Sequence, residues 1–307
     1  MRIAVVDLGT NSTRLLVAEV EQGRLRELER RSTVTRLGED VDSSGKLAEA
    51  AVGRVLETVG AYRELMDELG AERRTAVATS AVRDSSNGAD FRALLHHRFD
   101  IDARILSGDE EARLTFLGAT RERPRGEPTL VLDIGGGSTE FVVGRPGEDP
   151  DFHVSTQAGS VRQTERHLAD DPPAPEQVQA LAEELRAIID AEVPANMRES
   201  VSSGIAVAGT PVSFASIDAG LEPPDGKAVE GYRLSLESVE RITDELAAVP
   251  LPERREVPGL NPDRAPTIVA GGLILGEAMR AFGLREIEVS EADLLHGAAL
   301  FFAAESC

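Results

Sequence analysis

Apolar positions in the first 120 residues follow two different periods. Short apolar runs at residues 3–6, 15–18 and 75–79 are typical of buried strands. Between residues 48 and 69, apolar residues instead recur every three or four positions up to Gly70, which predicts an amphipathic helix. Three shorter elements extend this alternation: helices at 91–99 and 110–120, and a strand at 103–106.

The alternation resumes after a charged, proline-containing stretch at residues 121–128. A second proline-rich stretch, at 170–175, is interpreted as a surface loop. The remaining predicted elements are strands at 130–132, 141–143, 205–208 and 287–289, and helices at 176–190, 235–248, 272–282 and 293–304. Strands that alternate with helices indicate an α/β class with largely parallel crossovers.

One seven-residue pattern occurs twice. Asp-Leu-Gly-Thr-Asn-Ser-Thr begins at Asp7, and Asp-Ile-Gly-Gly-Gly-Ser-Thr begins at Asp133. Apolar runs flank both copies, so each is predicted to be a polar, glycine-rich turn between two strands. We interpret the repeat as the duplication of one structural unit. The predicted domains are residues 1–121 together with a C-terminal helix at about 291–307, and residues 122–290.

Composition and charge narrow the functional classes. The 307 residues are 41% hydrophobic and carry a formal net charge of -21, which disfavours binding to nucleic acid or to an anionic membrane. The single cysteine, Cys307, excludes an intrachain disulfide and indicates a reducing compartment. No apolar run reaches the length of a signal segment or a membrane span. We therefore expect a cytoplasmic protein.

The two repeated turns contain the residue types that bind phosphate. Glycine lets the backbone approach an anion, and N–H groups and hydroxyls supply donors. The expected donors are Thr10, Asn11 and Ser12 in the first turn, and Gly136, Gly137 and Ser138 in the second. Asp7 and Asp133, at the strand ends just before the turns, are candidate ligands for phosphate-bound Mg²⁺. A single such turn is also typical of an ordinary hairpin, so the pairing of the copies carries this prediction.

Four motifs in order resemble the exopolyphosphatase and guanosine pentaphosphate phosphatase (Ppx/GppA) family. Besides the two turns, they are Ala-Thr-Ser-Ala-Val-Arg at 78–83 and Ser-Gly-Asp-Glu-Glu-Ala-Arg at 107–113. The resemblance covers nearly the whole chain. It implies an α/β fold of two duplicated actin-like (ribonuclease H-like) domains of that ATPase superfamily, with an interdomain cleft. The chain resembles the short two-domain form and departs from the family at 295–297, where Leu-His-Gly replaces the usual Arg-Glu-Gly.

The resemblance also implies roles for individual side chains. Hydrolysis of a terminal phosphoanhydride needs an in-line water, a base, and positive charge around the phosphoryl group. Glu111 is the implied base, and its neighbour Glu110 is the alternative, otherwise a surface acid favoured by the helix dipole. Glu140 is implied to orient the water or the metal. Arg83, expected in a loop that ends at Asn87, is implied to bind phosphate.

Two further basic residues, Arg14 and His296, each have two open interpretations. Arg14 either contacts the substrate or neutralises a buried carboxylate, and His296 lies either on a helix surface or towards the cleft. A polyanion substrate also requires concentrated positive charge on an acidic protein, so we predict a path that includes Arg36, Arg83 and Arg162.

The activity implied by the resemblance is Mg²⁺-dependent, or Mn²⁺-dependent, release of orthophosphate from the end of inorganic polyphosphate. Guanosine pentaphosphate, a molecule of the stringent response, is the alternative substrate. A non-catalytic regulator that binds phosphate or an alarmone is the alternative class. A kinase or filament ATPase is disfavoured, because only Val-Ala-Gly-Thr-Pro at 207–211 represents the expected glycine pair. A homodimer is one expected assembly.

Overall fold

A computed structural model describes residues 1–305, and the chain divides into two compact units. Unit one comprises Met1–Gly118 and the segment that begins at Leu294, and unit two is Ala119–Asp293. Each unit is built on one β-sheet. No helix within residues 1–305 is long and apolar enough to cross a membrane.

Unit one contains a five-stranded sheet in the order β3-β2-β1-β4-β5. The strands are β1 (Arg2–Leu8), β2 (Ser12–Glu21), β3 (Arg24–Val34), β4 (Arg73–Ala78) and β5 (Ala103–Ile105). The helices that begin in this unit are α1 (Val41–Ser44), α2 (Glu49–Glu68), α3 (Ser80–Arg83), α4 (Gly88–Phe99), α5 (Gly108–Thr120) and α13 (Leu294–Ala304).

Both faces of the unit-one sheet are buried. Along β1, Val6 and Leu8 pack on the side covered by α2 and α4, whereas Ile3 and Val5 pack on the side covered by α13. Each apolar side chain buried in this way stabilises the fold by about 1.5–3 kcal/mol relative to exposure. Because both faces are covered, β1 reads as a continuous apolar run rather than as an alternating one.

Helices α13 and α5 approach each other closely at Gly297. A Cβ atom at this position would lie 1.8 Å from the carbonyl oxygen of Leu114 and 2.6 Å from its carbonyl carbon. Only glycine allows this approach between two backbones. The segment 295–297, which departs from the family pattern at its first two positions, thus keeps the residue that seats α5 against α13.

Unit two contains a six-stranded sheet in the order β10-β11-β9-β6-β7-β8. The strands are β6 (Thr129–Ile134), β7 (Thr139–Gly144), β8 (Phe152–Thr156), β9 (Gly204–Val207), β10 (Arg233–Ser235) and β11 (Glu286–Val289). The helices are α6 (Ser160–His167), α7 (Pro175–Glu192), α8 (Ala195–Glu199), α9 (Gly209–Asp218), α10 (Leu236–Ala247), α11 (Leu251–Arg254) and α12 (Ile268–Ala281).

The two sheets repeat one topology. In each, three consecutive strands pair antiparallel, β1-β2-β3 in unit one and β6-β7-β8 in unit two. On its other side, the first strand of each set has a parallel neighbour, which in turn pairs in parallel with the next strand. In unit one β1 pairs with β4 and β4 with β5, and in unit two β6 pairs with β9 and β9 with β11. Unit two adds only the edge strand β10. The predicted α/β fold, with one topology repeated in two units, is confirmed.

Candidate functional site

The first repeated turn closes the hairpin between β1 and β2. The amide of Gly9 donates to the carbonyl oxygen of Ser12 at 3.1 Å. The backbone of residues 35–38 then donates to the turn, once to the carbonyl of Thr10 at 2.8 Å and twice to that of Asn11, at 3.0 and 2.9 Å. The carbonyl oxygens of the turn are therefore held by the backbone of residues 35–38.

The second turn closes the hairpin between β6 and β7 in the same way. The amide of Gly135 donates to the carbonyl of Ser138 at 3.0 Å. The first residues of α6, at 160–162, donate backbone N–H groups to the carbonyls of Gly135 and Gly136 at 2.8–3.2 Å. The Arg162 side chain belongs to this set, and its Nε donates to the carbonyl of Gly137 at 2.9 Å.

Both turns thus present amides rather than carbonyls. The N–H groups of Thr10, Asn11, Gly136 and Gly137 donate to no other residue in the described part of the chain. Successive backbone N–H groups of this kind form an anion-binding concavity. The Ser12 hydroxyl is buried and has no hydrogen-bond partner within residues 1–305, which is costly unless a ligand satisfies it. The turns therefore offer donors to an anion at Thr10, Asn11, Ser12, Gly136 and Gly137.

The carboxylate before the first turn has a cationic partner. Asp7 is 2% exposed and lies directly opposite Arg14 in the β1–β2 ladder. Nε and Nη2 of Arg14 reach Oδ2 of Asp7 at 2.8 and 2.7 Å. Of the two open interpretations of Arg14, the structure supports the partner of a buried carboxylate.

The matching position in unit two pairs two carboxylates. Asp133 lies opposite Glu140 in the β6–β7 ladder, and both are buried, at 6% and 1% exposure. Facing residues of an antiparallel pair share one side of the sheet, with Cβ atoms about 4.5–5.5 Å apart. The Ser155 hydroxyl on β8 donates to Oε1 of Glu140 at 2.7 Å and fixes its orientation. Glu140 is therefore not the exposed strand carboxylate that its position alone would allow.

These carboxylates fit a hard divalent cation. Two buried carboxylates that face each other repel, and a cation, a proton or hydrogen-bond donors reduce that repulsion. Among residues 1–305, no three His, Cys, Asp or Glu side chains come together as a metal site. Mg²⁺ usually takes one or two protein carboxylates and completes its shell with water and substrate phosphate, and the facing pair Asp133 and Glu140 matches that number.

Arg83 lies at the end of a helix and not in the predicted loop. The prediction was wrong because one helical turn follows β4 directly: the amides of Val82 and Arg83 donate to the carbonyl of Thr79 at 3.1 and 3.0 Å. The hydroxyls of Ser80 and Thr10 lie 2.9 Å apart, which ties this helix to the first turn. No role for Ser80 was predicted from the sequence, although Ser80 lies within the motif at 78–83.

The implied base and the implied phosphate ligand contact each other. Glu111 lies in the first turn of α5 and is buried. Nη1 of Arg83 donates to Oε2 of Glu111 at 3.0 Å and to the carbonyl of Leu106 at 2.9 Å. Unit one thus joins the first turn, α3 and the start of α5 through direct hydrogen bonds.

Glu110 has a separate set of partners. Its Oε2 accepts from the amide and hydroxyl of Ser107 at 2.9 and 3.0 Å, and its own amide donates back to that hydroxyl at 3.2 Å. This is a capping box at the start of α5. The backbone hydrogen bond from Ser107 is the main cause that lowers the pKa of Glu110 below its ordinary value of 4.5, and an ion pair with Arg104 adds to it.

This lowered pKa predicts a pH-dependent cost for Glu110→Gln. A depressed folded-state pKa adds stability above the unfolded pKa, and that stability is lost as the pH falls through the folded pKa. Glutamine keeps the capping acceptor but loses the charge, so we expect a cost of a few tenths of a kcal/mol at pH 7. Urea unfolding of both proteins should show this difference at pH 7 and a smaller one as the pH is lowered below the ordinary glutamate pKa of 4.5. A difference that grows in acid would contradict the assignment.

Gly159 supports the second turn from behind. A Cβ atom there would lie 2.3 Å from the Gly136 carbonyl oxygen and 2.3 Å from the Gly137 carbonyl carbon. Gly159→Ala must therefore displace the turn, and we expect about a tenfold rise in KM for a phosphate-chain substrate. Gly276→Ala on α12 is the matched control, since its Cβ would meet only ordinary contacts, the nearest at 3.7 Å. Equal KM values for the two variants would remove the second turn from the substrate site.

Several polar features lie away from these contacts. His96 is exposed and pairs with Asp102, and His296 is mostly buried, with Nε2 4.0 Å from Oε2 of Glu27.

A cavity of about 610 Å³ lies where β4 and β5 begin, at the end opposite the first turn. Its lining contains none of the predicted site residues: Arg73, Thr75, Arg92, Ala93, His96, Asp102, Ala103, Arg104, Phe302 and Glu305.

Curated relatives and solved structures match the chain over nearly its full length. Exopolyphosphatase 2 of Mycobacterium tuberculosis is 32% identical over 316 residues, which cover 98% of each chain. The Ppx/GppA family member of Aquifex aeolicus is 27% identical, with a TM-score of 0.82 and coverage of 100% of this chain and 98% of its own. An exopolyphosphatase from Cytophaga hutchinsonii is 26% identical, with a TM-score of 0.90 and coverage of 99% and 98%.

The Ppx/GppA phosphatase family profile matches residues 16–302. This span contains Arg83, the Glu110-Glu111 pair and the whole second turn, and the full-length relatives extend the match over the first turn. The resemblance predicted from the motifs is confirmed. The chain belongs to the Ppx/GppA phosphatase family and is a phosphoanhydride hydrolase.

Proposed function

We propose that this protein is an exopolyphosphatase, which hydrolyses the terminal phosphoanhydride of inorganic polyphosphate and releases orthophosphate. The observation that carries the proposal is the buried carboxylate of Glu111, held 3.0 Å from Arg83 in the same unit as an amide-lined turn. A base, a phosphate ligand and an anion cradle are the parts that this reaction needs. The names of the Mycobacterium and Cytophaga relatives support the same substrate.

Each repeated turn is a proposed phosphate site, with Thr10, Asn11 and Ser12 as the donors in unit one and Gly136, Gly137 and Ser138 as the donors in unit two. Glu111 takes a proton from a water whose oxygen attacks the terminal phosphorus. The bond between that phosphorus and its bridging oxygen breaks, and the shortened chain leaves with the electron pair. Orthophosphate is the second product. Arg83 offers positive charge to the transferred phosphoryl group, whose oxygens carry the negative charge in the loose transition state.

Asp133 and Glu140 are the proposed holders of Mg²⁺, with Mn²⁺ as a substitute of similar ligand preference. Asp7 is the further predicted ligand, and Arg14 contacts its Oδ2. The bound cation would neutralise charge on the phosphate oxygens. Ser155 would keep Glu140 oriented for either the metal or the water.

Orthophosphate release from a substrate panel tests the proposal. The panel contains long-chain polyphosphate, tripolyphosphate, ATP and guanosine pentaphosphate, each with Mg²⁺, with Mn²⁺ and with EDTA. We expect fastest release from long-chain polyphosphate, loss of release in EDTA and recovery on addition of Mg²⁺. Faster release from guanosine pentaphosphate would favour the alternative substrate. Binding without release from any compound would contradict the proposal and favour a regulator.

A further inference from the structure

The side chain of Arg83, the proposed phosphate ligand, already forms a hydrogen bond with the proposed base. One nitrogen, Nη1, donates both to the Glu111 carboxylate at 3.0 Å and to the carbonyl of Leu106 at 2.9 Å. Nε of Arg83 lies 3.7 Å from a carboxylate oxygen of Asp84. The Arg83 side chain is 21% exposed and the Glu111 side chain 8%, so the ion pair is largely shielded from water.

This pairing conflicts with the proposed task of Glu111. A carboxylate oxygen that accepts a charge-assisted hydrogen bond from arginine is a weaker acceptor for a proton of water. The same guanidinium is the phosphate ligand, and its planar fork suits phosphate oxygens as well as it suits a carboxylate. In the ligand-free chain, the base and the phosphate ligand therefore satisfy each other.

We propose that the substrate itself frees the base: a terminal phosphate group draws the Arg83 guanidinium away from Glu111, which only then accepts the proton of the attacking water. The Leu106 carbonyl keeps Arg83 near the base during this exchange. This inference rests on the proposed function of the site. It makes Arg83 a positioning residue for Glu111 in the free protein and a phosphate ligand in the complex.

The exchange has a measurable consequence for affinity. Substrate must break a charge-assisted hydrogen bond, and Glu111→Gln replaces it with a weaker one between arginine and an amide. We therefore expect Glu111→Gln to tighten binding by about tenfold when Arg83 is present. Loss of the Glu111 charge also reduces direct repulsion of phosphate, and that part of the effect persists when Arg83 is replaced.

A double-mutant cycle separates the two contributions. Calorimetry would measure the affinity of an imido analogue of tripolyphosphate, in the presence of Mg²⁺, for the parent, Glu111→Gln, Arg83→Gln and the double variant. Circular dichroism would check the fold of each. Glu110→Gln is the matched control: it removes the same charge one residue away, where the partners are Ser107 and Arg104. We expect less than about a twofold effect from it.

We expect Glu111→Gln to raise the affinity for the analogue about tenfold in the parent protein. In the Arg83→Gln background, we expect the same change to raise it by less than about threefold. Equal effects in both backgrounds would overturn the exchange and leave simple charge repulsion. The absence of any gain in the parent would overturn it as well. If Arg83→Gln binds too weakly to measure, Arg83→Lys supplies the second background, since lysine keeps the charge without the planar fork.

The function and the exchange fail separately. A parent that releases orthophosphate from polyphosphate but shows equal effects in both backgrounds keeps the function and loses the exchange. A parent that shows the coupled effects but releases no phosphate keeps the exchange as a feature of phosphate binding and loses the function. A parent that does not bind the analogue overturns the exchange.

Discussion

Replacing Glu111 with glutamine is expected to lower kcat for polyphosphate by about 10²–10⁴-fold, with folding unchanged. Glutamine preserves the size of the side chain and one oxygen acceptor towards Arg83, but it cannot accept a proton from the attacking water. Burial of Glu111 leaves little room for bulk water to replace it as the base. Orthophosphate release under saturating substrate measures the effect, and thermal unfolding checks the fold.

Glu110→Gln is the control for this experiment, and we expect it to retain nearly full activity. Glu110 lies in the capping box of α5, where glutamine serves almost equally well. An inactive Glu110→Gln beside an active Glu111→Gln would shift the base by one residue. Full activity in both variants would place the base elsewhere, and Glu140 would become the next carboxylate to test.

Gly297→Ala is expected to destabilise the protein by about 3 kcal/mol and to reduce kcat. The added Cβ would lie 1.8 Å from a backbone oxygen of α5, so the two helices must separate. Because Glu111 lies on α5, this separation also moves the proposed base. A shift of about 1 Å at a catalytic group is enough to cost two orders of magnitude in rate.

Gly53→Ala provides the opposite control on α2. No atom lies within 4 Å of a Cβ placed at Gly53, so alanine should stabilise the helix by about 0.5–1 kcal/mol. Urea unfolding of both variants measures the contrast. Similar stability of Gly297→Ala and the parent would contradict the close packing of α13 against α5.

The repeat and the central strands could be predicted because both depend on local sequence. Strand β1 is buried on both faces and therefore reads as an uninterrupted apolar run. Strand β3 was missed because it lies at a sheet edge and alternates arginine and glutamate with a few leucines. Strand β8 is an edge strand of the unit-two sheet, as β3 is of the unit-one sheet. It has no buried residue before Thr156 and was missed for the same reason.

The site was predictable where a motif defines it and not where tertiary contacts do. The paired positions Arg14 and Glu140 follow from the equal lengths of the two hairpins, so aligning the copies would have placed each opposite its aspartate. The contact between Arg83 and Glu111 has no local signal. It forms because β4 and β5 are neighbours in the sheet and bring the segments after them together.

The central claim is that this protein hydrolyses polyphosphate at the end of the polyphosphate chain. Phosphorus NMR distinguishes terminal from internal phosphate groups during the reaction of long-chain polyphosphate with the parent protein and Mg²⁺. Terminal attack predicts that orthophosphate rises from the start while the number of chain ends stays constant. A rise in the number of chain ends before orthophosphate accumulates would show internal cleavage and contradict the assignment.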